Sequence, residues 1–221
     1  MQSREFLDLV DHTLLKAEAT RDQVSALCAE ARELRPASVC VNGLWVSHCV
    51  SELAGSEVPV CSVVGFPLGA MAAAAVADET RLAVASGAGE IDMVVPLGLL
   101  RGGEDHAVAA YLSEVRAAAE GVLLKVILET AVLTDAEVVR ACELSVESGA
   151  DFVKTSTGMH AAGGATEAAV RLMRETVGPD VGVKASGGIR TRADVETMVA
   201  AGASRLGMSA AAAVAQEFSR G

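Results

Sequence analysis

Short apolar runs rich in β-branched residues recur along the whole chain, and helical stretches separate them. Eight such runs are present, each bounded by turn-forming residues. They are residues 9–13, 38–42, 60–66, 90–95, 123–129, 151–156, 181–186 and 205–209. Repeated alternation of strand and helix is typical of a parallel sheet covered by helices. Eight repeats favour a closed α/β barrel, a (β/α)8 TIM barrel, over the alternative of an open, doubly wound sheet.

Start and stop signals for the helices strengthen this interpretation. Capping boxes begin at Thr20 and Thr134, and Thr166 and Thr191 are further N-cap candidates. Glycines lie where six of the helices should end, and these are Gly55, Gly87, Gly121, Gly149, Gly178 and Gly202. No Pro/Ser-rich linker or charge run divides the sequence, so we expect one domain that spans residues 1–221.

Composition narrows the range of partners. The hydrophobic fraction of 51% supplies a large core, but the aromatic fraction of 3% leaves few rings on which nucleic-acid bases could stack. A formal net charge of -11 also argues against nucleic acid and anionic membrane surfaces as partners. No segment reaches the ~20 uninterrupted apolar residues of a membrane helix, and the N-terminus has no signal-peptide core.

The cysteines and histidines favour a reducing compartment and argue against a metal site. The five cysteines show no C-x-x-C spacing, so we predict free thiols and a cytoplasmic protein. The four histidines are scattered and never stand at metal-ligand spacing. We therefore expect no metal and no other cofactor.

Three of the four lysines lie inside predicted strands. These are Lys125, Lys154 and Lys184, whereas the chain has 14 arginines. A lysine ammonium is costly to bury without a partner or a task. One alternative is that the strand lysines extend their charged ends out of the barrel mouth, with arginine preferred elsewhere because of codon usage. That alternative does not explain why the remaining lysines are found in strands.

A pair of strand lysines suits imine chemistry. Lys154 and Lys184 occupy corresponding positions on consecutive strands, so their side chains should converge. A neutral lysine amine attacks a carbonyl to form an imine, which acts as an electron sink. Burial and a nearby second cation disfavour the charged form of Lys154 and so free its amine. Asp92, on the fourth strand, can complete a proton relay with Lys184.

Two glycine-containing loops follow the seventh and eighth strands. Gly187 and Gly188 come directly after the seventh, and Gly207 and Ser209 end the eighth, ahead of an alanine-rich helix. Loops at these two places, together with a helix N-terminus, are where such barrels usually bind phosphate. We therefore expect a phosphosugar site, although a Gly-Gly pair alone can also be a tight turn.

Several ordered motifs match one known family. They are DHTLLK from Asp11, VCVN, VVGFPLGA, EIDMV, LLKVILET, DFVKTSTG, GGATEAAVRLM, GVKASGGIR and RLGMS. On these motifs the chain resembles deoxyribose-phosphate aldolase across nearly its whole length. The resemblance implies a metal-independent lyase that reversibly cleaves 2-deoxy-D-ribose 5-phosphate to acetaldehyde and D-glyceraldehyde 3-phosphate, in deoxyribose catabolism. It implies small phosphosugar and aldehyde partners, and we keep a homodimer as the assembly to test.

The resemblance also implies roles for particular residues. Lys154 is expected to form the imine, Lys184 to perturb it and Asp92 to relay protons. The resemblance further implies substrate-binding positions, which are Asp11, Thr13, Cys40, Lys125, Thr155 and Gly158, joining Gly187, Gly188, Gly207 and Ser209.

The chain departs from the family pattern in several places. After EIDMV it reads VPLGLLRGG, without the asparagine and lysine that are usual there. Ala210 replaces the second of two adjacent serines, which predicts weaker capture of phosphate. Some members carry a proton-transferring tyrosine in a C-terminal tail, whereas Tyr111 here lies in a predicted helix. Enamine protonation is therefore expected to rest on Asp92, Lys184 and water.

Some polar residues also have purely structural interpretations. His12 can orient Asp11 or be a packed structural histidine, Cys40 can simply fill space, and Glu129 can pair with Lys125 inside the barrel. Two other functions remain open. One is a phosphosugar isomerase that uses lysine and aspartate as acid and base, and the other is a phosphosugar-binding barrel without activity.

Overall fold

Eight parallel strands form a closed barrel in a computed structural model that describes residues 1–219. The strands are β1 (Val10–Leu14), β2 (Ser38–Asn42), β3 (Val60–Val64), β4 (Glu90–Val94), β5 (Leu123–Ile127), β6 (Phe152–Lys154), β7 (Gly182–Ser186) and β8 (Arg205–Met208). Each pairs with its neighbours in chain order, and β1 pairs with β8 to close the barrel. The predicted (β/α)8 barrel is confirmed, and the open doubly wound sheet is wrong.

The runs predicted for β3, β5 and β6 extend two residues beyond the observed strand ends. Buried side chains continue into the loops that follow these strands, for example at Leu128 and Thr155. An apolar or buried run therefore marks the strand together with the first loop residues, because both are covered from solvent.

Helices surround the barrel in the described part of the chain. They are α1 (Ser3–Leu7), α2 (Arg21–Leu34), α3 (Val46–Glu52), α4 (Ala73–Ala85), α5 (Leu97–Arg101), α6 (Asp105–Ala118), α7 (Asp135–Glu147), α8 (Glu167–Val177), α9 (Arg192–Ala200) and α10 (Ala211–Ser219). The N-caps are confirmed, since Thr20, Thr134 and Thr191 form capping boxes and Thr166 accepts the Ala169 N–H. Over residues 1–219, none of these helices combines the length and apolarity needed to cross a membrane.

The outer faces of the strands carry the hydrophobic core. On β5, Leu124 and Val126 are buried among the surrounding helices, and Val183 on β7 is buried in the same way. Aliphatic side chains fill most of this layer, as the low aromatic content requires. One aromatic pair stands out: Phe6 on α1 stacks on Phe218 of α10 with ring centroids 4.9 Å apart. This contact ties the first and last described helices together beside the β1–β8 seam.

The inner faces of the same strands carry charged side chains. Alternation sends every second side chain inward, which brings together Asp92 on β4, Lys125 on β5, Lys154 on β6 and Lys184 on β7. The three lysines are 0–2% exposed. The alternative in which they extend out of the barrel mouth is therefore wrong, and each must be stabilised by partners inside the barrel.

Candidate active site

Lys154 and Lys184 lie side by side, paired in register across β6 and β7. Lys154 Nζ donates to Asp92 Oδ2 at 2.7 Å, and Lys184 Nζ donates to the same oxygen at 2.6 Å. The two nitrogens are therefore no more than two hydrogen-bond lengths apart. At that separation a charge on one amine disfavours a charge on the other.

Asp92 accepts hydrogen bonds at both carboxylate oxygens. Oδ1 accepts from Lys125 Nζ at 2.8 Å and from the Cys61 thiol at 3.2 Å. Burial alone raises the pKa of Asp92, but the charges of Lys125, Lys154 and Lys184 outweigh burial and hold that pKa well below its usual range. Asp92 is therefore an anion that bridges both amines, the arrangement needed to pass a proton between them.

Asp11 on β1 is the second carboxylate in contact with Lys184. Its Oδ2 accepts from Lys184 Nζ, and its Oδ1 accepts from Arg205 at 2.6 Å. Burial disfavours the charged form of Asp11, yet the positive charge of Lys184 holds the pKa of Asp11 below its usual range. Burial also lowers the pKa of Lys184, but Asp11 and Asp92 raise it above the ordinary lysine value. Lys184 is therefore a fixed cation beside Lys154 at neutral pH.

Glu90 and Arg205 form a further layer toward the N-terminal ends of the strands. Glu90 Oε2 accepts from Lys125 Nζ at 2.6 Å and lies 3.3 Å from an Arg205 guanidinium nitrogen. The guanidinium also lies over the Phe152 ring, 5.3 Å from its centroid. The sequence analysis missed Arg205. A signal was present, because Arg205 stands two residues before Gly207 and so shares its side of β8.

Seven ionisable side chains meet inside the barrel. They are the basic Lys125, Lys154, Lys184 and Arg205 and the acidic Asp11, Glu90 and Asp92. The interior is electrically balanced when one of the four basic groups has lost its proton. A net charge in a buried site is costly, so this arrangement favours one neutral lysine.

A cavity of about 400 Å³ opens at the C-terminal ends of β1, β6, β7 and β8. Of the three strand lysines, Lys154 is the one that lines it. Six of the predicted substrate-binding residues line it as well, namely Thr13, Gly158, Gly187, Gly188, Gly207 and Ser209. An amine that can reach a substrate carbonyl and a glycine-rich wall that can receive phosphate thus share one cavity.

Close backbone contacts between loops shape the cavity wall. A Cβ atom at Gly164 would lie only 2.3 Å from the Gly187 carbonyl oxygen, and Gly187 itself has a φ of 84°. The Ala165 N–H donates to the Ser186 and Gly187 carbonyls at 3.0 and 3.1 Å. A larger side chain at either glycine would push the loops apart, so these glycines hold the β6 and β7 loops together.

The other predicted binding residues lie behind this cavity. Asp11 and Lys125 belong to the ionic network described above. Cys40 is buried among Leu15, Cys61 and neighbouring apolar side chains. Thr155 is also fully buried, and its hydroxyl links β6 to β7 by accepting the Ser186 N–H at 3.0 Å. The structure therefore brings these four close to the site without placing them on the cavity surface.

Two cations at the cavity were not among the predicted binding residues. Lys16 and Arg190 both line it and are exposed to solvent. Each ends a motif quoted above, DHTLLK and GVKASGGIR respectively, so the sequence alone places both shortly after strands β1 and β7. Exposed cations at the edge of a phosphate-sized cavity attract anionic substrates.

The hypothesis that Glu129 pairs with Lys125 is wrong. Glu129 accepts hydrogen bonds from the Thr157 N–H at 3.3 Å and from the Thr157 hydroxyl, while Lys125 pairs with Glu90 and Asp92. Glu129 has a φ of 58°, which removes it from the alternation of β5.

His12 points away from the barrel interior. Its Nε2 lies 2.9 Å from a Glu30 carboxylate oxygen on α2. His12 is therefore a structural histidine that ties β1 to its following helix, rather than a residue that orients Asp11.

Metal-ligand types do cluster in the interior, but their carboxylates already have partners. Cys40, Cys61 and Asp92 have ligand atoms within 4.8 Å of one another, as do Asp11, Cys61 and Glu90. A metal ion there would have to displace lysines from Asp92 or Glu90. The positive charges of the lysines, which suit a proton relay, thus oppose the binding of a metal cation.

Comparison with known proteins identifies the family. Residues 6–216 match the DeoC/LacD family aldolases. The chain belongs to this family. It is 56% identical over 214 residues to the deoxyribose-phosphate aldolase of Bacillus cereus strain Q1, covering 96% of each chain. It is 55% identical over 214 residues to that of Bacillus anthracis strain CDC 684, again covering 96% of each.

Solved structures of aldolases share the fold over nearly the full length. The tetrameric deoxyribose phosphate aldolase from Aeropyrum pernix has a TM-score of 0.92 and 32% identity, covering 98% of this chain and 92% of that one. The aldolase QR15 has a TM-score of 0.93 and 34% identity, covering 97% and 96%. The cavity at the strand ends thus belongs to an aldolase.

Proposed function

We propose that this aldolase reversibly cleaves 2-deoxy-D-ribose 5-phosphate to acetaldehyde and D-glyceraldehyde 3-phosphate through an imine on Lys154. The single observation that carries the proposal is the shared oxygen of Asp92. It holds a cavity-lining amine next to a second lysine that stays charged. The relatives named above as deoxyribose-phosphate aldolases support the choice of substrate.

The first step is attack by the neutral Lys154 amine on C1 of the open-chain sugar, which takes up one proton through Asp92 and Lys184, expels water and forms a protonated imine. The C3 hydroxyl then loses its proton to the Asp92–Lys184 relay, and the electrons of the C2–C3 bond form a C1–C2 double bond as the imine π electrons move to nitrogen. This releases glyceraldehyde 3-phosphate and leaves an enamine on Lys154. Protonation at C2 and hydrolysis by water release acetaldehyde and restore the amine.

Asp92 and Lys184 serve as the proton relay in this scheme. Asp92 touches both amines and can carry a proton from one to the other. Lys184 is charged at rest, so it keeps Lys154 neutral and can give a proton to Asp92 when a step of the reaction requires one. Tyr111 takes no part, because its hydroxyl donates to the Met71 carbonyl outside the cavity.

The sugar phosphate is expected in the glycine-rich part of the cavity. Backbone N–H groups of the Gly187–Gly188 loop and the Ser209 hydroxyl are suitable donors, and α10 begins directly after this segment. Lys16 and Arg190 add positive charge at the edge. Asp11, Cys40, Lys125 and Thr155 support the site from behind this surface.

The domain, location and assembly of the protein are proposed as well. Residues 1–221 are proposed to be one domain, in keeping with a single closed barrel over the described residues. A cytoplasmic location is supported by the five cysteines, which are all free thiols. A homodimer is proposed as the assembly, and the tetrameric Aeropyrum pernix relative supports self-association in general.

A product assay on 2-deoxyribose 5-phosphate tests the function. The proposal predicts equal amounts of acetaldehyde and glyceraldehyde 3-phosphate, without added metal and in the presence of a chelator. A phosphosugar isomerase would instead give one product with the mass of the substrate, and an inactive binding barrel would give none. Either of these results would overturn the proposal.

A further inference from the structure

One ion pair of the interior lies away from the cavity. Glu90 and Arg205 do not line it, yet both make strong contacts with residues that touch the reacting end. Arg205 donates to Asp11 at 2.6 Å and lies 3.3 Å from Glu90, which accepts from Lys125 at 2.6 Å. The Arg205 side chain is only 13% exposed, so water screens its charge poorly.

Each member of this pair is connected to the Asp92–Lys184 pair through one intervening residue. Arg205 reaches Lys184 through Asp11, and Glu90 reaches Asp92 through Lys125. The pair therefore contacts the site at two residues, Asp11 and Lys125. It also supplies one positive and one negative charge to an interior whose balance requires one neutral lysine.

We propose that Glu90 and Arg205 are positioning residues that set the pH at which Lys154 becomes a nucleophile. The proposal rests on the assignment of Lys154 as the imine-forming residue. With Arg205 present and the Cys40 thiol protonated, the interior is balanced when Lys154 is neutral. Without that charge, a protonated Lys154 is the balanced state. Loss of Glu90 has the opposite effect, since it leaves a positive surplus even when Lys154 is neutral.

Every strand contributes a charged or titratable group to the interior. These groups are Asp11 on β1, Cys40 on β2, Cys61 on β3, Glu90 and Asp92 on β4, Lys125 on β5, Lys154 on β6, Lys184 on β7 and Arg205 on β8. Burial opposes charge on all of them, but opposite charges lower the pKa of Asp11 and Asp92 and raise the pKa of Lys125, Lys184 and Arg205. These five charges are thus constant near neutral pH.

The thiols of Cys40 and Cys61 differ from these five charged groups. Burial raises the pKa of Cys61 well above its usual value, so its thiol stays neutral. The hydrogen bond with Cys61 lowers the pKa of Cys40, so Cys40 is the thiol whose charge needs a control. Measurements repeated in a Cys40→Ala background provide that control.

Loss of Arg205 and loss of Glu90 should shift the pH at which Lys154 becomes reactive in opposite directions. A unit charge about 10 Å away, at an effective dielectric constant of about 20, moves a titration by roughly one pH unit. Arg205→Met should therefore move the onset of Lys154 reactivity to higher pH by about one unit. Glu90→Gln should move it to lower pH by a similar amount. The double variant restores the original balance and should return the onset close to that of the wild type.

The test is the pH dependence of imine formation on the full chain. Acetaldehyde is the probe, borohydride quenches the reaction at set times, and peptide mass spectrometry measures the ethyl group on Lys154. Using acetaldehyde removes the titration of the substrate phosphate from the profile. Arg205→Lys is the matched control, because it keeps the charge and should keep the wild-type midpoint within about 0.3 pH unit.

The expected order of midpoints, from low to high pH, is Glu90→Gln, then wild type with the double variant, then Arg205→Met. Equal midpoints, or shifts of the same sign in both single variants, would overturn the inference. If Arg205→Met does not fold, Glu90→Gln decides the matter, since an unshifted midpoint there is enough to reject it. Absence of any adduct on wild-type Lys154 is a different result, because it rejects the proposed function itself.

Discussion

The outer and inner faces of the same strands have opposite characters. On β5, Leu124 and Val126 point outward into an apolar layer, whereas Lys125 between them points inward to Asp92 and Glu90. The outer layer gains stability from burial of apolar surface. The inner layer buries charges at a cost that only mutual pairing offsets. This difference indicates that the outer face holds the barrel together and that the inner face is retained for its chemistry.

Substitution of Lys154 should have the largest effect on the inner face. Lys154→Met removes the only proposed covalent nucleophile, so we expect kcat/KM for the phosphosugar to fall at least about 10⁴-fold. The free energy of unfolding should change little, because the variant replaces a buried amine by an apolar side chain and leaves the outer apolar layer unchanged. Steady-state kinetics checks the loss of activity, and thermal unfolding checks the stability. Substantial residual activity would contradict the role of Lys154. An unfolded variant would contradict the division of stability and chemistry between the two faces.

Lys184→Leu is expected to have the next largest effect. Its raised pKa keeps Lys184 charged at neutral pH, and removal of that charge lets Lys154 keep its proton to higher pH. The acid limb of the kcat/KM profile should therefore move toward alkaline pH, with a loss of about 10² to 10³-fold at pH 7 that shrinks as the pH rises. A pH–rate profile measures this. A uniform loss at all pH values would mean that Lys184 acts only by its shape.

Leu124→Ala tests the outer face directly. Leu124 is 1% exposed, and truncation of a buried leucine usually costs about 2–5 kcal/mol of stability. Because Leu124 points away from the site, kcat/KM of the folded variant should stay within about twofold of the wild type. Denaturant unfolding and kinetics below the melting temperature check both values. A large kinetic defect in the folded variant would show that the two faces are coupled.

The sequence predicted the two faces unequally well. Strand positions follow from apolar runs that any parallel sheet must bury, and Lys154 converges on Lys184 because alternation on neighbouring strands is a local rule. Partners across the barrel interior do not follow from such rules. The sequence offers Glu129, on the same segment, as one possible partner of Lys125, but a φ of 58° turns Glu129 away, and Glu90 on the neighbouring strand pairs instead.

The interior contacts of Arg205 could not be predicted from the sequence for a related reason. They are made with Asp11 and Glu90, which come from β1 and β4 and approach Arg205 only when the barrel is closed. Burial of a residue at the start of a strand is also hard to read from sequence, because such positions are often exposed. Interior partners of this kind require the three-dimensional structure.

Ala210→Ser should have the smallest effect. If the added hydroxyl reaches the substrate phosphate, KM for the phosphate ester should fall by about tenfold, as expected for one charge-assisted hydrogen bond, while KM for free 2-deoxyribose should barely change. Ala210 packs partly against the core, and its carbonyl accepts the first α-helical hydrogen bond of α10. A serine that merely caps α10 would instead raise stability by about 1 kcal/mol and leave the KM ratio unchanged. That second outcome would contradict the prediction from sequence.

The most direct test of the central claim is reductive trapping on the wild-type chain. Incubation with 2-deoxyribose 5-phosphate or acetaldehyde, reduction with borohydride and peptide mapping should place one adduct on Lys154, the cavity-lining amine held by Asp92. Acetaldehyde should leave an ethyl group there, and the intact substrate should leave the reduced sugar phosphate. Lys184 and Lys125 should stay unmodified, because both are fully buried and their charged forms are favoured. An adduct on either of these lysines without one on Lys154, or no adduct while cleavage proceeds, would contradict the account.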